Sequence, residues 1–365
     1  MGRERVVLWG TGHIANEIFK HCVTLNQYEI VAVIDNDKSK QGKFFFDNII
    51  NDSSYIYENK DQYESIVILT GAYEEIRSEI IAKDNSLKNR IHNYNYFYKK
   101  SILKRYAGTS DIEIKRIIEY LNNNNLEIFN YKFTDNYQSL EIEVYKDENN
   151  GLFYVFHDGK KMYFSREYKN VESVKEYYKS ILMEQDEESP HRYLTKDFCV
   201  NRGDIVVDVG VAEGNFSLDI IEHVDKLYLV EADQSWVEAL RYTFEPYKEK
   251  VVIINKYANS YNEGDFGTLD SMIKDDVNFI KMDIEGCEWD ALIGAQRLVS
   301  ESKNLKLAIC SYHSDFDQTL IEDYMDKMKI KHTTTKGYMW FPVTIRQPYV
   351  STKLNKAIVR GEKLQ

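Results

Sequence analysis

The chain has 365 residues, more than one typical hydrophobic core accommodates, so two or three domains are expected. Hydrophobic residues make up 43% of it, charged residues 29%, and only 4 residues are proline, a composition that argues against a long disordered linker. There are 47 Lys and Arg against 59 Asp and Glu, and the resulting net charge of −12 argues against nucleic acid as a partner.

The cysteine pattern and the hydropathy of the chain indicate its compartment. The four cysteines lie far apart without a CxxC pair, so neither a disulfide framework nor a cysteine zinc site is predicted. No apolar stretch is long enough to span a membrane, and the apolar run at 6–9 is too short for a signal peptide. We therefore expect a cytoplasmic protein without a membrane span, for which a homodimer is one open assembly.

Residues 1–105 have the pattern of a small Rossmann-like domain. A strand at 5–9 runs into a GxGxxA turn that contains Gly10 and Gly12, and an amphipathic helix follows. Asp35 ends the next predicted strand, where an acid can accept hydrogen bonds from the ribose of NAD or another nucleotide. The same glycines also suit tight strand-to-helix packing, so a nucleotide site and a purely structural turn both stay open. Through Gly10, Gly12 and Asp35 the region resembles short Rossmann-like domains attached to sugar-nucleotide-processing and polysaccharide-modifying enzymes.

Residues 106–188 are predicted to form a connector of helices and a small β-meander. Ser110 is placed to cap a helix whose apolar residues recur at helical spacing. Asn-Gly and Asp-Gly turns then separate three apolar runs, at 140–144, 152–156 and 161–164, which predicts a three-stranded meander. A second amphipathic helix follows, and the connector shows no identifiable chemistry.

Strands and helices alternate over residues 189–365, as is typical of an α/β fold with a parallel sheet. Strands are predicted at 205–209, 227–231, 251–254, 278–283 and 305–311, with helices at 215–223, 235–245 and 287–300. Ligands bind such sheets beyond the carboxyl ends of the strands. The polar residues at those ends are Asp208, Glu231, Asn255, Asp283 and His313. We expect them to converge on one site.

The first strand of this sheet ends in a glycine-rich turn, DVGVAEGNF at 208–216. Gly210 and Gly214 allow the backbone to come close to a ligand, and Asn215 is placed to cap the following helix. Glu231 lies at about the separation at which an acid meets a ribose in doubly wound nucleotide folds. The turn therefore predicts a cofactor site that would suit a dehydrogenase as well as a methyltransferase.

A polar pair, His191 and Arg192, precedes this sheet. The pair is either part of a turn between domains or folds over a carboxylate or phosphate group of a ligand. Both interpretations stay open from the sequence.

The segment from about 189 to 330 is similar to the FkbM-like family of S-adenosylmethionine-dependent methyltransferases. Two blocks carry the likeness: DVGVAEGNFSL at 208–218, and TLDSMI at 268–273 followed by FIKMDIEGCEWDALIGA at 279–295. The resemblance implies a seven-stranded class I methyltransferase fold, with its last strands expected within 338–361. It also implies S-adenosylmethionine as the methyl donor.

The resemblance further implies where donor and acceptor bind. Glu231 takes the ribose hydroxyls, and the glycine-rich turn lies along the methionine part of the donor. The expected donor-binding residues are Asp208, Gly210, Glu213, Gly214, Asn215, Phe216, Glu231, Asn255 and Asp283, with His191 and Arg192. Asp283 and Glu285 are expected beside the transferred methyl group. His313 is the expected general base, and a role as a hydrogen-bonding residue at its strand end stays open. The family and the attached Rossmann-like domain imply O-methylation of a sugar hydroxyl in a nucleotide sugar or surface-polysaccharide precursor.

Other interpretations of these residues stay open. Asp283 and Glu285 form a carboxylate pair of a kind that binds divalent cations, but no third ligand is evident, so no metal site is predicted. Glu288 lies in the first turn of the next helix, where an acid favours the helix dipole. As alternative functions, the chain is an NAD-dependent sugar-nucleotide enzyme centred on its N-terminal domain, or that domain is a non-catalytic binding or dimerisation module.

Overall fold

The computed structural model of the protein describes residues 2–22, 24–342 and 350–363. The chain divides into two units. The first contains the described residues up to 130 together with 350–353, and the second contains 131–342 together with 354–363. The boundary at 130 lies inside the predicted connector, whose meander and second helix belong to the second unit.

The first unit is built around a six-stranded sheet with the Rossmann-like pattern. Its strands are β1 (Glu4–Trp9), β2 (Tyr28–Ile34), β3 (Phe44–Phe45), β4 (Asn48–Asn51), β5 (Ser65–Ile68) and β6 (Ile91–Asn93). Its helices are α1 (His13–His21), α2 (Tyr55–Glu58), α3 (Tyr73–Lys83), α4 (Tyr96–Arg105) and α5 (Ile112–Asn123). The order is β3-β4-β2-β1-β5-β6, parallel except for β3 against β4. The central strands β1 and β5 are apolar because helices cover both faces of such sheets.

The second unit contains the meander, a larger sheet and its helices. Its strands are β7 (Tyr145–Lys146), β8 (Phe153–His157), β9 (Lys160–Tyr163), β10 (Ile205–Val209), β11 (Lys226–Val230), β12 (Val251–Ile254), β13 (Tyr257–Ala258), β14 (Phe266–Gly267), β15 (Phe279–Met282), β16 (Leu305–Cys310), β17 (Lys331–Thr334) and β18 (Ile358–Lys363). Its helices are α6 (Asp135–Gln138), α7 (Val171–Glu184), α8 (Asn215–Ile220), α9 (Gln234–Thr243), α10 (Leu269–Met272), α11 (Glu288–Ile293), α12 (Gln296–Glu301) and α13 (Asp317–Lys327).

Seven strands of the second unit form one sheet, in the order β12-β11-β10-β15-β16-β18-β17. The first five are parallel, and β18 runs antiparallel to both of its neighbours. The strand order reverses between β10 and β15, which is where doubly wound sheets bind ligands. This topology confirms the predicted α/β class and the seven-stranded methyltransferase fold.

Some predicted boundaries are wrong for local reasons. The helix expected from Ser110 is capped instead by Asp111, whose side chain accepts hydrogen bonds from two backbone amides of the first turn. The three-stranded meander is present, but its first strand is β7, after the alternating run at 140–144. The last two strands are β17 and β18, whereas 338–361 was expected to hold both, and residues 343–349 of that range lie outside the described residues.

The predicted helix at 287–300 is split into α11 and α12 at Gly294. A Cβ atom at Gly294 would lie 2.0 Å from the backbone oxygen of Asn259, so only glycine permits this approach of two backbones. The Gly294 oxygen in turn accepts a hydrogen bond from the Asp270 amide. The tertiary contact therefore overrides an apolar pattern that by itself predicted one helix.

None of the helices in the described part of the chain has the length and apolar character needed to cross a membrane.

Candidate functional site

A cavity of about 650 Å³ opens in the second unit at the carboxyl ends of β10, β11 and β15, where the strand order reverses. Its lining combines these strand ends with side chains of α7 and of the segment that follows it. Of the predicted site residues, those lining the cavity are Gly210, Glu213, Asn215, Glu231, Asp283 and Glu285. Of the five strand-end residues expected to converge, Glu231 and Asp283 line the cavity, and Asp208, Asn255 and His313 are not among the described residues that do.

The two glycines of the turn have conformations that require glycine. Gly210 has φ +75°, and a Cβ atom there would lie 1.8 Å from the backbone oxygen of Asp283. Gly214 has φ +86°, and a Cβ atom would lie 3.0 Å from side-chain atoms of Leu240 and Phe244. The glycines were predicted to make room for a ligand. The structure shows that they also make room for the neighbouring strand end and for α9.

Glu231 is buried at the end of β11, and backbone amides hold its carboxylate. Its Oε2 accepts hydrogen bonds from the amides of Val211 at 3.0 Å and Ala212 at 2.9 Å. Its Oε1 accepts from the amide of Asp233 at 2.8 Å. These bonds fix the carboxylate against the glycine-rich turn while it faces the cavity.

Asp208 is paired inside the sheet with Lys281, which the sequence analysis did not single out. The two residues are register partners on β10 and β15, and Lys281 Nζ lies 3.0 Å from Asp208 Oδ1. Asp208 Oδ2 accepts a hydrogen bond from Ser217 Oγ at 2.7 Å, and Lys281 also donates to the Gly210 oxygen at 2.5 Å. Asp208 therefore holds the glycine-rich turn in place through Ser217 and Lys281. A lysine within the apolar strand FIKM was the signal in the sequence.

Other predicted donor-binding residues have structural partners. Asn215 is the first residue of α8 rather than its cap, because Gly214 occupies the cap position. Phe216 is buried against Tyr193 and Phe279.

Asn255 and Arg192 are not among the described residues that line the cavity. Asn255 donates to the backbone oxygens of Glu231 and Ala232, and Arg192 donates to those of Gln185 and Leu194. Both side chains are thus engaged in holding backbone segments. The geometry does not place either of them on a ligand.

Asp283, at the end of β15, is surrounded by aromatic hydroxyls and imidazoles. Its Oδ2 accepts a hydrogen bond from Tyr193 Oη at 2.7 Å, and its Oδ1 lies 3.3 Å from Tyr312 Oη. His191 is buried, with Nε2 3.1 Å from Tyr312 Oη and 3.6 Å from Asp283 Oδ2. Burial would raise the pKa of Asp283, but His313, His191 and Lys281 lower it below its ordinary value. Asp283 is therefore a fixed negative charge.

His313 is enclosed by acids and is 1% exposed. Its Nδ1 lies 3.0 Å from Glu288 Oε1, and its Nε2 lies 3.4 Å from Asp283 Oδ1 and 3.7 Å from Glu285 Oε2. Burial would lower the pKa of His313, but Glu288, Asp283 and Glu285 raise it to about 9. At neutral pH the ring is positively charged, which argues against the predicted role as general base. His313 is also not among the described residues that line the cavity.

The contribution of α7 and the following segment was missed by the sequence analysis. Glu184, the last residue of α7, lines the cavity, and burial together with Asp283 and Glu213 raises its pKa to about 8. Tyr177 Oη, also on α7, donates to Glu213 Oε2 at 2.8 Å and lies against Trp236 with ring centroids 5.9 Å apart. The predicted connector therefore supplies one wall of the site.

In the first unit, Asp35 of the second predicted nucleotide site is held by side chains and an amide of its own surroundings. Asp35 Oδ2 accepts hydrogen bonds from the Thr11 amide at 3.1 Å, from the Thr11 hydroxyl and from Lys40 Nζ at 3.0 Å. Gly10 has φ +112°, and a Cβ atom there would lie 3.2 Å from the Leu69 oxygen, whereas Gly12 has no neighbour within 4 Å among the described residues. This geometry favours the structural turn over an NAD or nucleotide site.

Two family models match the chain. The model described as "Methyltransferase FkbM domain" matches residues 48–338, and the model described as "C2185-like, N-terminal" matches residues 2–91. A comparison with curated proteins found no match.

Several solved structures are similar to this chain. The crystal structure of methyltransferase FkbM from Methylobacillus flagellatus KT has 15% identity and a TM-score of 0.49, covering 99% of this chain and 90% of that one. A methyltransferase structure from Streptococcus mutans with S-adenosylhomocysteine has 13% identity and a TM-score of 0.32, covering 45% and 91%. An rRNA methylase from Streptococcus thermophilus has 16% identity and a TM-score of 0.33, covering 46% and 90%. Because these TM-scores are below 0.5, the family assignment rests on the matched sequence model.

Proposed function

Because the chain belongs to the FkbM methyltransferase family and so uses S-adenosylmethionine as donor, we propose that it transfers the methyl group to an uncharged sugar hydroxyl. The observation that carries this proposal is the acidic cavity at the strand ends. It is lined by the acids Glu184, Glu213, Glu231, Asp283 and Glu285 and by the lysines Lys256 and Lys281. Carboxylates and aromatic faces are the groups that recognise the hydroxyls and ring of a sugar.

The charge of the cavity suits the donor. The sulfonium of S-adenosylmethionine is a permanent cation, and carboxylates in a partly enclosed site attract it. We assign Glu231 to the ribose hydroxyls, since amides of the turn hold its carboxylate toward the cavity. The product S-adenosylhomocysteine lacks the sulfonium charge and is expected to bind less tightly.

The acceptor is proposed to lie beside Asp283 and Tyr312. Phe341 packs against Tyr312 with ring centroids 5.0 Å apart, and all three residues line the cavity. Acids repel phosphate groups, so the pyrophosphate of a nucleotide sugar would have to stay outside. A sugar hydroxyl at the end of a neutral saccharide or polysaccharide precursor fits this charge better.

In the proposed reaction the acceptor oxygen attacks the methyl carbon. The O–C bond forms as the C–S bond breaks. The electron pair of the broken C–S bond stays on sulfur, which gives S-adenosylhomocysteine. Alignment of the two reactants supplies most of the acceleration. The hydroxyl proton is assigned to Glu285, which lines the cavity with its side chain 73% exposed, whereas the lowered pKa of Asp283 makes that residue a poor base. The role of the first unit as a binding or dimerisation module stays a prediction.

Calorimetry and a transfer assay test this function on the full chain. Glu231→Ala is expected to weaken S-adenosylmethionine binding by at least about tenfold, or ~1.4 kcal/mol. Glu249→Ala removes the same charge from an exposed position and should bind the donor normally. Labelled methyl should appear in neutral saccharides but not in nucleotide sugars. Unchanged affinity in Glu231→Ala would remove that residue from the donor site, and labelling of nucleotide sugars alone would overturn the acceptor class.

A further inference from the structure

The carboxyl ends of β15 and β16 bring together three side chains that can bind a metal ion, of which Asp283 also lines the cavity. Asp283, Glu288 and His313 each offer one ligand atom, and these atoms all lie within 4.8 Å of one another. The sequence showed only the pair Asp283 and Glu285. The other two members were not grouped with Asp283 because His313 follows another strand and Glu288 was assigned to the helix dipole.

Two members of this group are buried without completed hydrogen bonds. Glu288 and His313 are each 1% exposed. Among the described residues, Glu288 Oε2 and both ring nitrogens of His313 have no partner in hydrogen-bond geometry. Glu288 Oε1 lies 3.0 Å from His313 Nδ1 and accepts a hydrogen bond from the Ile284 amide at 2.8 Å. Buried polar atoms are rarely left in this state, so they point to a ligand that satisfies them.

Carboxylates surround the imidazole of this group. Three carboxylates, those of Asp283, Glu285 and Glu288, lie within 3.7 Å of the single imidazole of His313. Glu285 is 73% exposed and Lys281 also acts on Asp283, so the fully buried carboxylate beside this imidazole is that of Glu288. Glu285 has the left-handed φ of +55°, a strained conformation that functional loops often contain.

We propose that Asp283, Glu288 and His313 bind a divalent cation at the acceptor end of the site. Two carboxylates and an imidazole suit Mn²⁺ better than Mg²⁺, which prefers oxygen ligands alone. Ligands about 2.1 Å from a common ion lie at most about 4.2 Å apart, so the group closes around it by small side-chain shifts. Because Asp283 and Glu285 line the cavity, the ion reaches the group from that side and presents its remaining positions to the acceptor.

A second group of potential ligands, His191, Asp283 and Cys310, shares Asp283 and is disfavoured. The Nε2 of His191 already lies 3.1 Å from the Tyr312 hydroxyl. Burial and the charges of Asp283 and Glu288 raise the pKa of the Cys310 thiol well above its ordinary value, which opposes the thiolate that a metal needs.

The role at the acceptor end rests on the proposed function, but binding of the ion does not. The full chain is freed of metal with a chelator and titrated with Mn²⁺ up to roughly 1 mM while electron paramagnetic resonance follows the free ion. About one Mn²⁺ per chain should bind. Glu288→Gln and His313→Gln should each weaken binding at least about tenfold, as loss of a metal contact commonly does.

Controls separate the ion site from folding and from methyl transfer. Asp323→Asn removes a charge from an exposed position of α13 and should bind Mn²⁺ as the wild type does. S-adenosylhomocysteine binding, measured in parallel, verifies that each variant is folded. If one of the two ligand variants fails to fold, Mn²⁺ binding by the other variant still tests the site. Absence of Mn²⁺ binding in the wild type, or equal binding in both folded ligand variants, overturns the site. A lack of methyl transfer to saccharides with Mn²⁺ binding intact contradicts only the proposed function.

Discussion

Lys281 Nζ lies 3.0 Å from Asp208 Oδ1, and the two side chains are 5% and 1% exposed. This buried pair joins the neighbouring strands β10 and β15 of the methyltransferase sheet, next to the glycine-rich turn. Desolvation makes such a pair costly, but removing one partner leaves a charge without compensation. The pair therefore links the stability of the second unit to the shape of the donor site.

Replacing Lys281 with Met should lower the free energy of unfolding by roughly 3–5 kcal/mol, because the Asp208 charge then stays buried and unpaired. Adding Asp208→Asn to this variant should restore part of the loss. Urea unfolding followed by tryptophan fluorescence measures both, and Lys303→Met, at an exposed position, is the control. If the double variant were as unstable as the sum of the two single ones, the two side chains would not be coupled.

Gly210→Ala should destabilise the second unit by more than about 3 kcal/mol, because the new Cβ would collide with the Asp283 carbonyl at a positive φ. Gly264 also has a positive φ, but no atom of the described residues lies within 4 Å of a Cβ there. Gly264→Ala should therefore cost only about 1–2 kcal/mol. Thermal unfolding compares the two, and equal losses would show that the close approach at Gly210 is unimportant.

Glu184 should make donor binding depend on pH. Burial and its acidic neighbours raise the pKa of Glu184 to about 8, so the empty site holds this carboxyl mainly protonated at neutral pH. A bound sulfonium favours the carboxylate, so binding of S-adenosylmethionine should release a proton near pH 7 and tighten as the pH rises toward 8. Calorimetry in buffers of different ionisation enthalpy measures the release.

Two comparisons isolate this effect. Glu184→Gln should bind the donor without releasing the proton, and S-adenosylhomocysteine should release less of it because it lacks the sulfonium charge. Glu187→Gln, at an exposed position just after α7, is the charge-matched control. If the Glu184→Gln variant releases as many protons as the wild type, the released proton comes from another acid of the cavity.

The parts of the site that sequence reasoning found are those that local pattern encodes. Glu231 and Asp283 follow apolar strands, and parallel strands bring their carboxyl ends together, so their convergence was predictable. Gly210 was recognised as a special position, but the sequence could not distinguish a ligand from the Asp283 carbonyl as the reason for it. In both cases the sequence identified the residue but not the atoms that contact it.

The parts that were missed depend on contacts between distant positions. Tyr193 donates to Asp283 over a separation of 90 residues, and α7 brings Glu184 and Tyr177 to the cavity from a segment with no motif of its own. The protonation of His313 likewise depends on Glu288, which comes from a different strand connection. Periodicity specifies the faces of helices and strands, but it does not specify which loop closes over which strand end.

The last prediction concerns Asp35 in the first unit. Burial would raise its pKa, but hydrogen bonds from Thr11 and the Asp37 amide, with Lys40, lower it below its ordinary value. Its stabilising contribution is therefore present above about pH 4 and is lost as the pH falls through the lowered pKa. Asp35→Asn should reduce stability by about 1–3 kcal/mol at pH 7, and the difference from the wild type should shrink in acid.

This structural role of Asp35 is distinguishable from nucleotide binding by thermal shift on the full chain. S-adenosylmethionine should raise the unfolding temperature of the wild type and of Asp35→Asn equally, and NAD should raise neither. Asp47→Asn, at an exposed position of the same unit, controls for the lost charge. A stabilising shift with NAD that disappears in Asp35→Asn would reverse this interpretation, because the carboxylate would then have to leave Thr11 and Lys40 to bind a ribose.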